Sequence, residues 1–271
     1  MRNKFETLAR AGYAARGVVY ILLGGLAFMS ALNGGGGTED SSGALSHVLQ
    51  FPFGRVLLGL IAIGLAGHIA WRLAQGFLDA DNVGTDGKGL VGRVGSLISA
   101  GANVFLALTA ARMALGQGGG SSGGGGESEA SAWLLQQPFG PFLLGLVAIG
   151  VIGAGLVQIG KGVTRKYRDR LDLPSSPKVL DFACLFGLVA RGALLAIVGG
   201  FVAYAALTVS PEQAGGISDA LDYVYALPFG RWLYGTAALG LVAFGCYSII
   251  QAVYRHMNAP SLADVKQALP G

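Results

Sequence analysis

Six stretches of roughly 20 mostly apolar residues occupy most of this chain, each long enough to cross a bilayer's hydrocarbon core as a helix. They fall near Gly12–Leu32, Phe53–Gly76, Gly92–Leu115, Phe139–Gly160, Phe182–Thr208 and Phe229–Val253. Six such runs in 271 residues leave too little amphipathic surface to cover them in water. Charged residues make up 13% of the chain, against about 25% in ordinary soluble domains. Glycine fills 46 positions in a chain that is 52% hydrophobic. That pairing is not the disorder signature, which needs low hydrophobicity. It suits transmembrane helices, where small residues let backbones approach closely. The expected fold is therefore an all-α integral membrane protein with six transmembrane helices.

The second, fourth and sixth runs open on the same phrase: "FPFGRVLLGLIAIG" from Phe51, "QPFGPFLLGLVAIG" from Gln137 and "LPFGRWLYGTAALG" from Leu227. After each Pro-Phe-Gly, glycines recur at Gly59, Gly145 and Gly235, and again at Gly64, Gly150 and Gly240. These six are the expected helix-packing positions. The first runs match more loosely: "GYAARGVVYILLGG" from Gly12 pairs with "GLVARGALLAIVGG" from Gly187. The middle copy, "GSLISAGANVFLAL", has Ser99 where the others have Arg16 and Arg191. The reading is three parallel two-helix hairpin repeats with pseudo-threefold symmetry, over 1–78, 79–163 and 164–258, followed by a cytoplasmic tail over 259–271. The proline is expected in each second helix's first turn, where its missing N–H had no partner. The first run resembles a signal peptide in charge and length, but its recurrence inside the chain makes a retained helix the better expectation.

Charge gives the orientation. The connectors Asn33–Gln50, Gly116–Gln137 and Val209–Leu227 hold no Lys or Arg and seven acids. The opposite side carries Arg2, Lys4, Arg10, Lys88, Arg93 and the run Lys161 to Lys178. Lys/Arg asymmetry in short loops sets topology, so the basic end and both termini are expected in the cytoplasm. The net charge of +4 belongs to this rule and to anionic lipid headgroups rather than to nucleic acid.

The triplicated hairpin, the "GYAARGVVY" opening and the "PFGRxLLGL" phrase resemble a family of bacterial membrane proteins catalogued as domain of unknown function 1206. The resemblance covers about Leu8 to Tyr254 and implies six helices in an inner membrane. It implies no activity, substrate or catalytic residue. Ser99 and Pro141, which stand where the other repeats have arginines, depart from the pattern and from strict threefold symmetry.

Ionisable residues inside a span are the first places to look for function, because their charge is costly to bury. Arg16 and Arg191 occupy equivalent positions near the basic end. They either snorkel to headgroups along their apolar stems or face inward for interrepeat pairing or anion contact. Glu6 and Asp181 precede them by ten residues, too far along a helix for pairing within it. His68 stands alone, with Ala154 and Phe244 at the matching positions, so it reads as a hydrogen-bonded packing histidine or a proton-linked one rather than a metal ligand. Arg112 is expected as an anchor at the outer interface. Asn103 reads as a bridge between helices.

The glycine tracts at 34–37 and 118–126 lack the Lys-Ser/Thr of a phosphate loop and read as linkers. Cys184 and Cys246 form no disulfide framework or metal knuckle by spacing. No Ser/His/Asp, HExxH, CxxC or paired-carboxylate arrangement appears within the runs, so neither an enzyme nor a cofactor is expected. The expected role is a scaffold, stabilising or lipid-binding subunit whose partners are membrane lipids and another membrane protein. The alternative is a pathway for small solutes or ions along the pseudo-threefold axis.

Overall fold

The computed structural model describes residues 2–33, 41–81, 83–84, 86–117, 131–171 and 178–255. Six long helices are apolar enough to span a membrane: α1 (Arg2–Leu32), α3 (Gly54–Phe77), α4 (Gly87–Ala114), α5 (Gly140–Val163), α6 (Lys178–Thr208) and α8 (Gly230–Tyr254). Short helices α2 (Ser41–Val48) and α7 (Ile217–Ala226), and a helical turn over 131–135, precede α3, α8 and α5 at the acidic end. The protein is a six-span all-α membrane protein built from three repeats, α1 with α3, α4 with α5, and α6 with α8. The tail over 259–271 and the glycine tracts at 34–37 and 118–126 lie outside the described residues.

The repeated phrase builds one turn three times. The amides of Gly54, Gly140 and Gly230 donate to the carbonyls of Phe51, Gln137 and Leu227 at 2.9, 2.9 and 2.8 Å. Each proline is thus the second residue of a turn ahead of the helix, not part of its first helical turn. Phe53, Phe139 and Phe229 follow with φ of 62°, 61° and 62°. This is type II geometry, whose third position normally takes glycine. An L-residue held in the left-handed region costs on the order of 1–2 kcal/mol. What the phenylalanine supplies is an aromatic ring 81–83% exposed at the mouth of each span, as a headgroup boundary favours. The glycine after it is sterically required. A Cβ on Gly54 would strike the Val48 carbonyl, one on Gly140 would lie 2.5 Å from the Leu135 carbonyl, and one on Gly230 would strike that of Tyr225.

Helix packing follows from three consecutive residues, Ala-Arg-Gly, in α1 and α6. The alanine faces the second helix of its own repeat: a Cβ on Gly64 would lie 2.5 Å from Ala15 Cβ, and one on Gly240 would overlap Ala190 Cβ. The glycine faces the second helix of the neighbouring repeat. A Cβ on Gly17 would lie 2.8 Å from the Gly245 carbonyl, and one on Gly192 would lie 2.6 Å from that of Gly155. Only the arginine between them is left to reach the interior. The most extensive packing is therefore between repeats, α3 on α4, α5 on α6 and α8 on α1, with α1 on α3 and α6 on α8 next.

Repeat two breaks the pattern at the same three positions, which read Ile98-Ser99-Ala100. A Cβ on Gly150 would lie 3.3 Å from the Ile98 Cδ1 rather than against an alanine. The larger side chain holds the helices apart, and among the described residues α4 and α5 have no substantial packing on each other. The six spans form an arc in the order α4, α3, α1, α8, α6, α5. Its second hairpin is a hairpin in sequence only.

Of the six glycines marked from sequence, Gly64 and Gly240 lie at close approaches, and Gly150 meets only Ile98. A Cβ on Gly59 or Gly235 would make only ordinary contact, 3.9 Å from Ala114 Cβ and 3.8 Å from Ala31 Cβ. Gly145 corrects the expectation: nothing would lie within 4 Å of a Cβ there, although its helix packs extensively on α6 elsewhere along its length.

Ala15→Ile and Ala190→Ile should each lower the melting temperature in detergent, since overpacking a tight contact costs about 1–3 kcal/mol. Gly145→Ala should not. An unchanged melting temperature for both isoleucine variants would contradict the packing scheme.

Candidate functional site: buried arginines at the basic end

Arginines first close the helix ends. Arg10 Nη1 on α1 donates to the Ala252 and Val253 carbonyls at 2.8 and 2.6 Å, where α8 ends. Arg93, at the matching place on α4, donates to the Gly76 and Phe77 carbonyls at 2.8 and 2.9 Å, where α3 ends. At the acidic end Arg231 of α8 donates to the Ala31 and Leu32 carbonyls at 2.9 and 2.7 Å. Arg55 lies beside Gly116, just past the end of α4. A cation at a helix C-terminus satisfies orphan carbonyls and opposes the helix dipole. The α5–α6 pair has neither device, because Leu185 and Pro141 fill those places.

Further in, four guanidiniums form a connected network. Arg255 Nη2 pairs with the Asp81 carboxylate at 2.9 Å, and its Nη1 donates to the Tyr13 hydroxyl at 2.7 Å. Gln75 Nε2 donates to Asp81 Oδ2 at 2.9 Å, while its Oε1 accepts from Arg72 Nη1 at 3.1 Å. Arg72 Nε then faces His68 Nε2 at 3.4 Å, and Arg16 Nη1 faces the same nitrogen at 3.5 Å. Both guanidinium groups are donors, so Nε2 must accept and the ring proton sits on Nδ1. His68 is fully buried, edge-on to Tyr13 at 4.9 Å, and its Nδ1 has no partner among the described residues.

Arg16 and Arg191 meet over two shared rings. Arg16 Cζ stands 5.6 Å from the Tyr20 centroid and 5.2 Å from that of Phe244; for Arg191 the distances are 5.2 and 4.5 Å. Arg191 also donates from Nε to the Tyr20 hydroxyl at 3.0 Å and from Nη1 to Gln158 Oε1 at 2.7 Å. Sharing the same rings places the two arginines at one depth. Arg16, only 5% exposed, is the more buried, so it does not snorkel along the lipid surface.

No carboxylate pairs with either arginine among the described residues. Glu6 pairs with Arg10 in its own helix at 2.8 Å. Asp181 pairs with Arg168 at 2.8 Å and accepts from the Tyr167 hydroxyl. Burial first, then that hydrogen bond, pushes the Tyr167 phenol above its ordinary range. A guanidinium within a span costs about 2.5–3.5 kcal/mol on insertion scales. A desolvated ring contact returns about 2 kcal/mol. Two rings can thus carry one arginine, but not the repulsion between two.

The remaining candidates lie elsewhere. Arg112 is exposed in the last turn of α4, away from the cluster. Asn103 Nδ2 donates to the Ser99 carbonyl at 2.6 Å, within its own helix rather than across helices. Sequence reasoning did not single out Arg72, Gln158, Arg255, Asp81 or Tyr20. A signal existed for two of them: Arg72, Gln158 and Ser248 stand at one repeat position, so every second helix is polar there.

A family model described as Domain of Unknown Function (DUF1206) matches the chain three times, over residues 11–79, 94–165 and 186–255. A protein of Bacillus subtilis (strain 168) described as "Uncharacterized protein YxxB" is 37% identical over 259 residues, covering 93% of this chain and 92% of its own length. No solved structure matches.

Removing Arg255 should take from Asp81 the guanidinium it pairs with at 2.9 Å, so Arg255→Met should cost on the order of 3 kcal/mol. Arg16→Met relieves a repulsion and should leave the melting temperature in detergent unchanged or raised. The comparison of the two melting curves checks the charge ledger; equal losses would contradict it.

Proposed function

The chain belongs to the DUF1206 family of three-repeat membrane proteins, and we propose that it is a non-catalytic scaffold subunit of the bacterial cytoplasmic membrane. Its side formed by α4 and α5 receives a transmembrane helix of a partner protein. The observation that carries this reading is the open end of the arc. Gly92, Gly95 and Gly101 on α4, and Gly145, Gly153 and Gly160 on α5, would all have clear space around a Cβ. Gly153 and Gly160, seven residues apart, share a face, as do Gly92 and Gly95. Small residues with no neighbour suit a helix that supplies the missing backbone contact.

The distribution of Lys and Arg supports cytoplasmic termini. The pathway alternative has less support. At the basic end the interior is filled by Tyr13, Trp71, Phe244 and Arg255, all buried.

Native purification of the unaltered protein and of a Gly153→Leu, Gly160→Leu double variant tests the reading. One membrane protein should be recovered in near-stoichiometric amount with the first and be lost from the second, at equal melting temperature. Retention of lipid alone in both preparations would contradict the scaffold.

A further inference from the structure

The paired arginines are independent of the α4–α5 side and carry their own conclusion. We infer that Arg16 and Arg191 bind a phosphate-class anion between α1 and α6, at the depth of Tyr20 and Phe244. The two cations share both rings at centroid distances of 4.5–5.6 Å and have no carboxylate among the described residues. Among the described residues, the other charged groups near them are cationic or already paired: Arg72 lies across His68, and Asp81 is held by Arg255 and Gln75. An anion completes the ledger.

The donor geometry selects its chemistry. The two guanidiniums come from different helices, and a tetrahedral phosphoryl group accepts from two directions at once. A planar carboxylate is matched by one fork. Arg191 is positioned by Tyr20 and Gln158, which hold Nε and Nη1 and leave Nη2 without a hydrogen bond among the described residues.

Access comes from the α5 side. Arg191 and Gln158 are only half buried, and Ala154, one turn before Gln158, is exposed. Repeats one and three carry His68 and Phe244 at the position of Ala154, so only the second repeat leaves the approach uncovered. The same phosphoryl chemistry is offered by an anionic lipid headgroup entering from the leaflet and by free phosphate entering from water.

Thermal unfolding in dodecyl maltoside separates these sources. Inorganic phosphate is compared with chloride at equal ionic strength, and phosphatidylglycerol with phosphatidylcholine in mixed micelles. One of the two phosphates should raise the melting temperature in a saturable way, since a ligand that binds only the folded state stabilises it. A gain from inorganic phosphate assigns a free anion; a gain from phosphatidylglycerol alone assigns a headgroup. Apparent affinity should fall at least tenfold in Arg191→Gln and in Arg191→Lys, which keeps the charge but not the fork. Arg231→Gln, at the far end of the bundle, should keep the full gain. The inference is overturned if neither phosphate stabilises the protein, if succinate alone does, or if the Arg191 variants respond like the unaltered chain. Loss of a partner protein in the purification above leaves these outcomes untouched, so the two readings fail separately.

Discussion

How closely two helices approach at the residue before the arginine decides the shape of this protein. In repeats one and three that residue is Ala15 or Ala190, and the facing Gly64 or Gly240 is close enough that neither contact has room for another methyl group. In repeat two it is Ile98, which meets Gly150 with the end of its side chain and keeps α4 from α5. Lipid tails are as apolar as the side chains that would replace them, so spans associate through backbone proximity and packing rather than through the hydrophobic effect. A single branched residue at the closest point is therefore enough to open one hairpin of three. The arc, its exposed glycines and the uncovered approach to Arg191 all follow from it.

The arginines divide into two kinds by where the neighbouring backbone ends. Arg10, Arg93 and Arg231 reach carbonyls at the ends of adjacent helices, where acceptors are otherwise unmatched. Arg16 and Arg191 sit mid-helix, where every carbonyl already has a partner, and so turn to aromatic faces, a hydroxyl and an amide. The first kind stabilises the fold. The second is held at a cost the fold does not need.

Much of the architecture was legible in the sequence because its causes are local and repeated. The spans show in hydropathy, and the repeats show in Pro-Phe-Gly and Ala-Arg-Gly. The role of the proline was misjudged by one turn, since only coordinates reveal that Phe53, Phe139 and Phe229 adopt positive φ. Gly145 looked like its counterparts because periodicity reports a helix face, not how closely a neighbour approaches it. The inward turn of Arg16 was not legible either: snorkelling and burial differ in side-chain direction, which depends on His68 and Phe244 from other helices. In the network, Arg72 finds His68 and Gln75 within a turn of its own helix, whereas the contacts of Arg255 with Asp81 and Tyr13 and of Arg16 with His68 are set by tertiary packing.

The central claim is that Ile98 holds the second hairpin apart while the alanines close the other two. Spin-label distances in lipid nanodiscs test it most directly, in a background with Cys184 and Cys246 replaced by alanine. Val18 with Ile63, Gly101 with Ile149, and Ala193 with Leu239 occupy equivalent exposed positions in the three repeats. The account predicts similar distances for the first and third pairs, a distance several ångströms longer for the second, and a shortening of that one distance in Ile98→Ala. Equal distances in all three pairs, or no response to Ile98→Ala, would contradict it.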